Sequence, residues 1–283
     1  MSVLVIPNVS AAKNPLLVQQ LAETVRNSHA RVLDVHSDPV HERSVLTVTG
    51  TTDHLIDAME ALAIRAAELI DLRVHRGVHP RFGVFDVCPF VPLEEGDRMD
   101  EATDAAVRTA DRIASRAGIA VYLYGAAARS ENRFDLVDVR KAIAQGEAPD
   151  LGSPPSARSG AVCVGARQVL IAFNVWLRCD IATARDIAAT IRERNGGLTG
   201  VRALGLEISP DRCQVSTNIT KPADCGIDDV YDEVTRLARD RGVEVQASEI
   251  VGAPPQRFLP DPSKEAARRL MSPGRSLETL LAL

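Results

Sequence analysis

The sequence predicts an α+β protein of two lobes, each built on the order β-α-β-β-α-β. Three observations carry this expectation. Apolar residues at helical spacing alternate with short strand-like runs, the second half spells the six-element order without interruption, and a loop rich in Gly and Pro separates the halves.

In order, Val3 to Ile6 reads as a short buried strand. Asn14-Pro15 then supplies an N-cap and a first-turn proline ahead of Leu17, Val18, Leu21 and Val25. Val32 to Val35 and Val45 to Thr49 read as strands, and Thr52 as the cap of a helix with Leu55, Ile56, Met59, Leu62, Ala66 and Leu69 on one face. Phe82 to Val87 is expected as a strand, Pro89 to Gly96 as a loop, and Asp100 to Ala117 as a helix stopped by Gly118 before the strand Ala120 to Tyr124. Pro149, Pro154 and Pro155 with Gly146, Gly152 and Gly160 make 146–160 a loop, the expected lobe boundary.

The second half is cleaner. Val169 to Trp176 is a strand, Asp180 caps a helix carrying Ile181, Ala184, Ile187, Ala188 and Ile191, and Val201 to Ile208 pairs with Gln214 to Ile219 around Ser209-Pro210-Asp211. A helix through Ile227, Val230, Val234, Leu237 and Ala238 ends at Gly242, and Val243 to Ser248 alternates as a half-buried strand. This is the ferredoxin-like split βαβ order, and the first half repeats it with one extra helix and strand. The expected division is a lobe over 1–160, a lobe over 161–260 and a peripheral, basic tail over 261–283.

Composition narrows the function. A formal charge of −5 argues against a nucleic-acid surface, though one arginine cluster can still serve a small anion. Five scattered cysteines without a C-x-x-C pair read as reduced thiols rather than as disulfides or a metal site. With no basic leader and no apolar stretch near membrane length, the expected location is the cytoplasm. The chain lacks a phosphate loop, a dinucleotide fingerprint and a nucleophile elbow.

Chemistry-bearing residues concentrate between Arg73 and Phe90, where a helix hands over to a strand. His75 and His79 stand four apart, but Gly77 and Pro80 exclude the helical geometry of a metal pair. The proline after His79 biases its backbone to an extended form, and Arg73, Arg76 and Arg81 disfavour its protonated state. A neutral imidazole is what a general base requires, so His79 is the candidate catalyst. A second cluster, His36 to Arg43, contains the turn former Asp38-Pro39. His41 and Arg43 are either solvent-facing or the edge of a cleft shared with His79, and spacing leaves both readings open.

Several runs in order carry a resemblance: Val5-Ile6-Pro7-Asn8, His41-Glu42-Arg43-Ser44-Val45, His75-Arg76-Gly77-Val78-His79-Pro80-Arg81-Phe82-Gly83, Asp86-Val87-Cys88-Pro89-Phe90, Val121-Tyr122-Leu123-Tyr124-Gly125, Gly165-Ala166-Arg167, Leu170 to Asn174 and Gln214 to Asn218. Over about residues 1 to 259 the chain resembles the glutamate formimidoyltransferase (formiminotransferase) family. The resemblance implies transfer of a formimino group between formiminoglutamate and tetrahydrofolate, a step of histidine degradation. It also implies two ferredoxin-like lobes whose sheets face one another across a folate-binding tunnel, in a homodimer.

By this resemblance the catalytic histidine falls on His79. The folate-contacting segment falls on Gly152 to Gly160, with Gly152, Ser153, Pro154, Ser156, Arg158 and Gly160 as binding residues beside His41, Arg43 and Arg81. Arg43 and Arg158 are candidates for the substrate carboxylates by bidentate pairing. No metal is implied. The chain departs from the family's pattern at His36, where an acidic residue is usual, at Ser10-Ala11-Ala12, and in a folate loop without its usual aromatics. Formyl transfer from N-formylglutamate and a non-catalytic folate- or amino-acid-binding role are the alternatives these departures raise.

Overall fold

The computed structural model describes residues 3–78, 81–93, 99–271 and 275–282. It is an α+β protein with two sheets, dividing into two compact units, Met1–Gln168 and Val169–Leu283.

The first unit runs β1 (Val3–Val5), β2 (Asn8–Val9), α1 (Pro15–Asn27), β3 (Arg31–Asp38), β4 (Arg43–Thr49), α2 (Thr52–Leu69), β5 (Phe85–Pro92), α3 (Met99–Arg112), β6 (Ala120–Gly125), α4 (Leu136–Ala144) and β7 (Ala161–Ala166). Its seven strands follow the order β1-β4-β2-β5-β7-β6, with β3 on the outer side of β4. The β5–β7 and β6–β7 pairs are parallel.

The starts of the helices follow local chemistry. Asn14 accepts from the amides of Leu16 and Leu17 at 3.1 and 3.3 Å, and Pro15 occupies the first turn, where its missing N–H costs nothing. Thr51, not Thr52, caps α2, with its hydroxyl accepting from the His54 amide at 3.3 Å. Thr52 is already helical, and its hydroxyl donates to Glu101 at 2.8 Å.

One face of the sheet packs Val48, Phe85 and Phe90 against Leu21, Leu55, Met59, Leu62 and Ala106 of the first three helices. From α2 to α3 and the turn that follows it, Arg108–Asp53 and Arg112–Asp57 pair at 2.7 Å at the surface, where each adds little stability, and Arg116 reaches the buried Glu60 at 2.9 Å.

The first unit's sheet also differs from the expectation. Strand β5 runs through Pro89, where a loop was expected, because proline removes only a donor. The Pro89 carbonyl still accepts from Ile6 N at 3.0 Å. Helix α4 and strand β7 are the other addition. Val139 of α4 packs on Tyr122, Tyr124 and Cys163, the residues of β6 and β7 that alternate away from the main core. Strand β7 thereby belongs to the first unit's sheet, and the units divide after Gln168 rather than at 160.

The second unit runs β8 (Ile171–Arg178), α5 (Ile181–Ile191), β9 (Val201–Ser209), β10 (Arg212–Ile219), α6 (Ile227–Asp240) and β11 (Glu244–Val251). Its four strands are antiparallel in the order β11-β8-β10-β9. Asp180 caps α5 through the Thr183 amide at 2.9 Å. Phe173, Val175 and Val215 meet Ile187, Val230 and Val234 in the core. The segment read as a peripheral tail is tied in: Ser248 donates to Arg269 O and accepts from Met271 N at 2.8 and 2.9 Å, and Ala266 is buried.

The five cysteines are free thiols. Among the described residues no helix is long and apolar enough to cross a membrane, and no three His, Cys, Asp or Glu side chains group as a metal site.

Candidate active site

His79, with Pro80, lies outside the described residues, so the site is described by what holds the chain on either side of it. Upstream, the segment 75–78 lies against the turn that leads into β4. Asp38 makes that turn, its Oδ1 accepting from the amides of Val40 and His41 at 2.8 and 2.9 Å. His41 is buried, with Nδ1 3.3 Å from Asp38 Oδ2.

Glu42 follows at φ 51°, a left-handed conformation that a non-glycine residue keeps only when its surroundings impose it. Here they do. Lys13 pairs with the Glu42 carboxylate at 2.6 Å, and the Glu42 carbonyl lies 3.0 Å from His75 Nε2. Gly77 packs so closely on this strained residue that a Cβ there would stand 2.8 Å from Glu42 Cβ. Val78 N donates to Val40 O at 3.3 Å, which closes the contact.

Because a carbonyl only accepts, His75 must carry its proton on Nε2. Burial and the nearby Arg81 both lower its pKa, so it is neutral at pH 7. Below the unfolded value of about 6.5 the unfolded chain takes up a proton that the folded chain refuses, so stability is lost as pH falls. His75→Gln keeps a donor toward Glu42 and removes the titration. Its Tm is expected to fall less than the wild type's between about pH 7.5 and about pH 5.5 in a fluorimetric melt.

Downstream, Arg81 Nη1 donates back to Gly77 O at 3.2 Å, so the chain on one side of His79-Pro80 is tied to the chain on the other. Asp86, 1% exposed in β5, holds the next residues, its Oδ1 accepting from Phe82 N at 2.6 Å and Gly83 N at 3.3 Å. Its Oδ2 is 2.7 Å from Arg140 Nη2 on α4. Arg43 lies in the same field. Burial pushes its guanidinium down to about 10 against the pull of Asp86, which leaves it charged at neutral pH.

The loop 152–160 joins this region through backbone. Val84 N donates to Ser159 O at 2.9 Å, Ala161 N to Phe82 O at 2.8 Å, and Leu72 N to Arg158 O at 2.9 Å. Gly160, at φ 66°, faces Phe82 with no room for a side chain. Ser156 and Ser159 share a hydroxyl hydrogen bond of 2.6 Å.

The structure thus brings His41, Arg43, Arg81, Ser156, Arg158 and Gly160 onto elements that touch the His79 segment. Arg158 is engaged within the protein, donating to Glu68 O at 3.0 Å and lying 3.4 Å from Asp71. Arg73 is held by the same Asp71 at 2.6 Å. Gly152 sits elsewhere on the loop, beside Ile119 and Ala114, and Ser153 and Pro154 are exposed.

Two further pieces of the sequence pattern meet in the first sheet. Tyr124 opposes Gly165 across β6 and β7, and its ring leaves no space for a Cβ at Gly165. Burial raises the Tyr124 phenol to about 12, against the opposing pull of the nearby Arg167 guanidinium. In the second unit Asn174 and Gln214 donate to Glu249 at 3.0 and 3.5 Å, on the sheet face that alternates away from Phe173 and Val215.

Asp86 enters the sequence reading only as part of the run to Phe90, with no role assigned, and spacing singles out neither Arg140 nor Lys13. An aspartate between Phe85 and Val87, in an apolar run, was the signal for Asp86, because a charge is buried only with partners.

Known proteins resemble the chain over most of its length. Residues 2–167 match the model of the formiminotransferase domain, N-terminal subdomain, and residues 172–267 that of the formiminotransferase domain. The chain is 36% identical to a glutamate formimidoyltransferase of Thermoplasma acidophilum over 92% of its own length and 90% of that protein. It is equally similar, at 36%, to the Streptococcus pyogenes serotype M1 glutamate formimidoyltransferase, with 90% of each chain covered. At 36% identity it also matches half, 50%, of a formimidoyltransferase-cyclodeaminase of Sus scrofa, using 90% of its own length. With the two domain models in sequence and the histidine-bearing signature intact, the chain belongs to the formiminotransferase family.

Proposed function

We propose that this chain is a glutamate formimidoyltransferase that moves the formimino group between N-formimino-L-glutamate and tetrahydrofolate, with His79 as general base and acid. Family membership around an intact His-x-Gly-x-His-Pro-Arg-x-Gly run carries the reading.

An amine nitrogen of tetrahydrofolate attacks the formimino carbon, forming a C–N bond and a tetrahedral intermediate whose new nitrogen is an ammonium. The neutral imidazole takes that proton and returns it to the glutamate nitrogen, whose bond to carbon then breaks. Free glutamate and formimino-tetrahydrofolate leave, and the histidine ends as it began. Such a relay contributes ~10²–10⁴-fold, and the remaining acceleration comes from holding both reactants in register.

Arginines around His79 serve this chemistry twice. Arg76 and Arg81, close to it in sequence, disfavour the protonated form of an imidazole at position 79, whereas Arg73 is held by Asp71. Arg43, fixed and charged at the start of β4, is suited to a glutamate or folate carboxylate. His41, Arg81, Arg158 and the loop residues Gly152, Ser153, Pro154, Ser156 and Gly160 complete the binding set. The second unit's β-α-β-β-α-β order supports reading that lobe as ferredoxin-like; the same reading of the first lobe, the folate tunnel and the homodimer are taken from the family.

The test is purified protein with tetrahydrofolate and either formiminoglutamate or N-formylglutamate, folate products being followed by mass spectrometry. Formimino-tetrahydrofolate from the first donor is the expected product. Turnover of N-formylglutamate alone transfers the reading to formyl chemistry, and binding of folate with neither donor reacting reduces the protein to a binding module.

A further inference from the structure

We infer that Asp86 and Arg140 are positioning residues for the transfer reaction, through which helix α4 fixes the chain that leaves His79. The inference rests on the transferase reading and goes beyond it by naming residues outside the histidine motif and the folate loop.

Asp86 is buried in β5, yet neither of its oxygens serves the strand ladder. One caps the backbone at Phe82 and Gly83, at 2.6 and 3.3 Å respectively. Those amides begin two residues after Pro80, so the carboxylate sets where the chain goes once it has passed His79. The other oxygen takes a 2.7 Å charge-assisted hydrogen bond from Arg140. The Arg140 guanidinium also lies over the Phe82 ring, 5.9 Å from its centroid, so it contacts both the carboxylate and the residue the carboxylate caps.

Arg140 itself is placed by packing. Its neighbour Val139 is fully buried against Tyr122, Tyr124 and Cys163, which leaves the guanidinium one position round the helix to meet Asp86. A buried carboxylate without its cation protonates or moves, and either change frees the Phe82 and Gly83 amides. Because a displacement of about 1 Å at a reacting group costs ~10²-fold in rate, loss of the cation should be read in turnover rather than in affinity.

The experiment uses the full chain as Arg140→Met, which keeps the stem over Phe82, and Arg140→Lys, which returns a cation. In transfer from formiminoglutamate to tetrahydrofolate, Arg140→Met is expected to lose ~10–10²-fold in kcat with both KM values within about 3-fold, and Arg140→Lys to recover part of the loss. Hydrogen exchange of peptides spanning residues 75–84 is expected to quicken at least ~10-fold in Arg140→Met and less in Arg140→Lys.

Unchanged kcat and unchanged exchange in a folded Arg140→Met overturn the inference. A lowered melting temperature with normal kcat per folded molecule also overturns it, since that is the signature of a merely structural pair. If the wild type is inert toward formiminoglutamate, the transferase reading fails by itself. The exchange measurement then decides alone whether the pair anchors the segment.

Discussion

His79→Ala is expected to cut turnover by ~10²–10⁴-fold while the protein stays folded and both KM values hold within a few-fold. The size follows from the step removed. Without a base the new ammonium keeps its proton, the glutamate nitrogen remains a poor leaving group, and the intermediate reverts. The preserved fold follows from the flanks. Val78 is held by Val40, Arg81 by Gly77, and Phe82 with Gly83 by Asp86, and none of these contacts uses the imidazole. Steady-state kinetics beside circular dichroism make the check. Unchanged kcat with a raised KM would instead assign His79 to ground-state binding.

The largest expected loss of stability is at Gly160. Alanine there meets two penalties together. Its φ of 66° is the left-handed region, and its Cβ would overlap the Phe82 carbonyl oxygen while standing 2.9 Å from Leu72 Cδ1. The carbonyl cannot retreat, because it accepts from Ala161 N at 2.8 Å. Left-handed strain and overpacking each contribute ~1–3 kcal/mol, so Gly160→Ala should lose ~3 kcal/mol or more in urea denaturation. Gly146 provides the contrast. It has φ 76°, and a Cβ placed on it would meet nothing within 4 Å, so Gly146→Ala should lose only ~1–2 kcal/mol. Equal losses at the two sites would mean that the Phe82–Gly160 contact does not constrain the folded chain.

The same contact shows what the amino-acid order discloses and what it hides. In the second unit β10 sets Cys213, Val215, Thr217 and Ile219 on one face and Gln214, Ser216 and Asn218 on the other, so Val201 to Ile208 and Gln214 to Ile219 are legible as a pair, and they pair in register from Val201 and Ile219 upward. In the first unit β5 and β7 are covered on both faces, so alternation disappears. Pro89 then imitates a break, and Ala161–Ala166 is too short and too small-sided to stand out. Helix α4 has only two and a half turns to display its period, with Val139 and Ala142 its buried residues.

The candidate site divides in the same way. His79, Pro80 and Gly77 are legible because their backbone restrictions are local. The pairing of Asp86 with Arg140 is not, because 54 residues separate them and only the packing of α4 brings them together. The strain at Glu42 is equally hidden, since it arises from Lys13 and from Gly77, neither of which is its neighbour in sequence.

The central claim is that an imidazole at position 79 moves the proton between the two amines. Chemical rescue tests it most directly: His79→Ala is assayed for formimino transfer with increasing free imidazole in the buffer. Turnover is expected to rise with imidazole concentration and to level off below the wild-type rate, with formimino-tetrahydrofolate as the product. A His79→Ala enzyme that turns over at the wild-type rate without imidazole would contradict it.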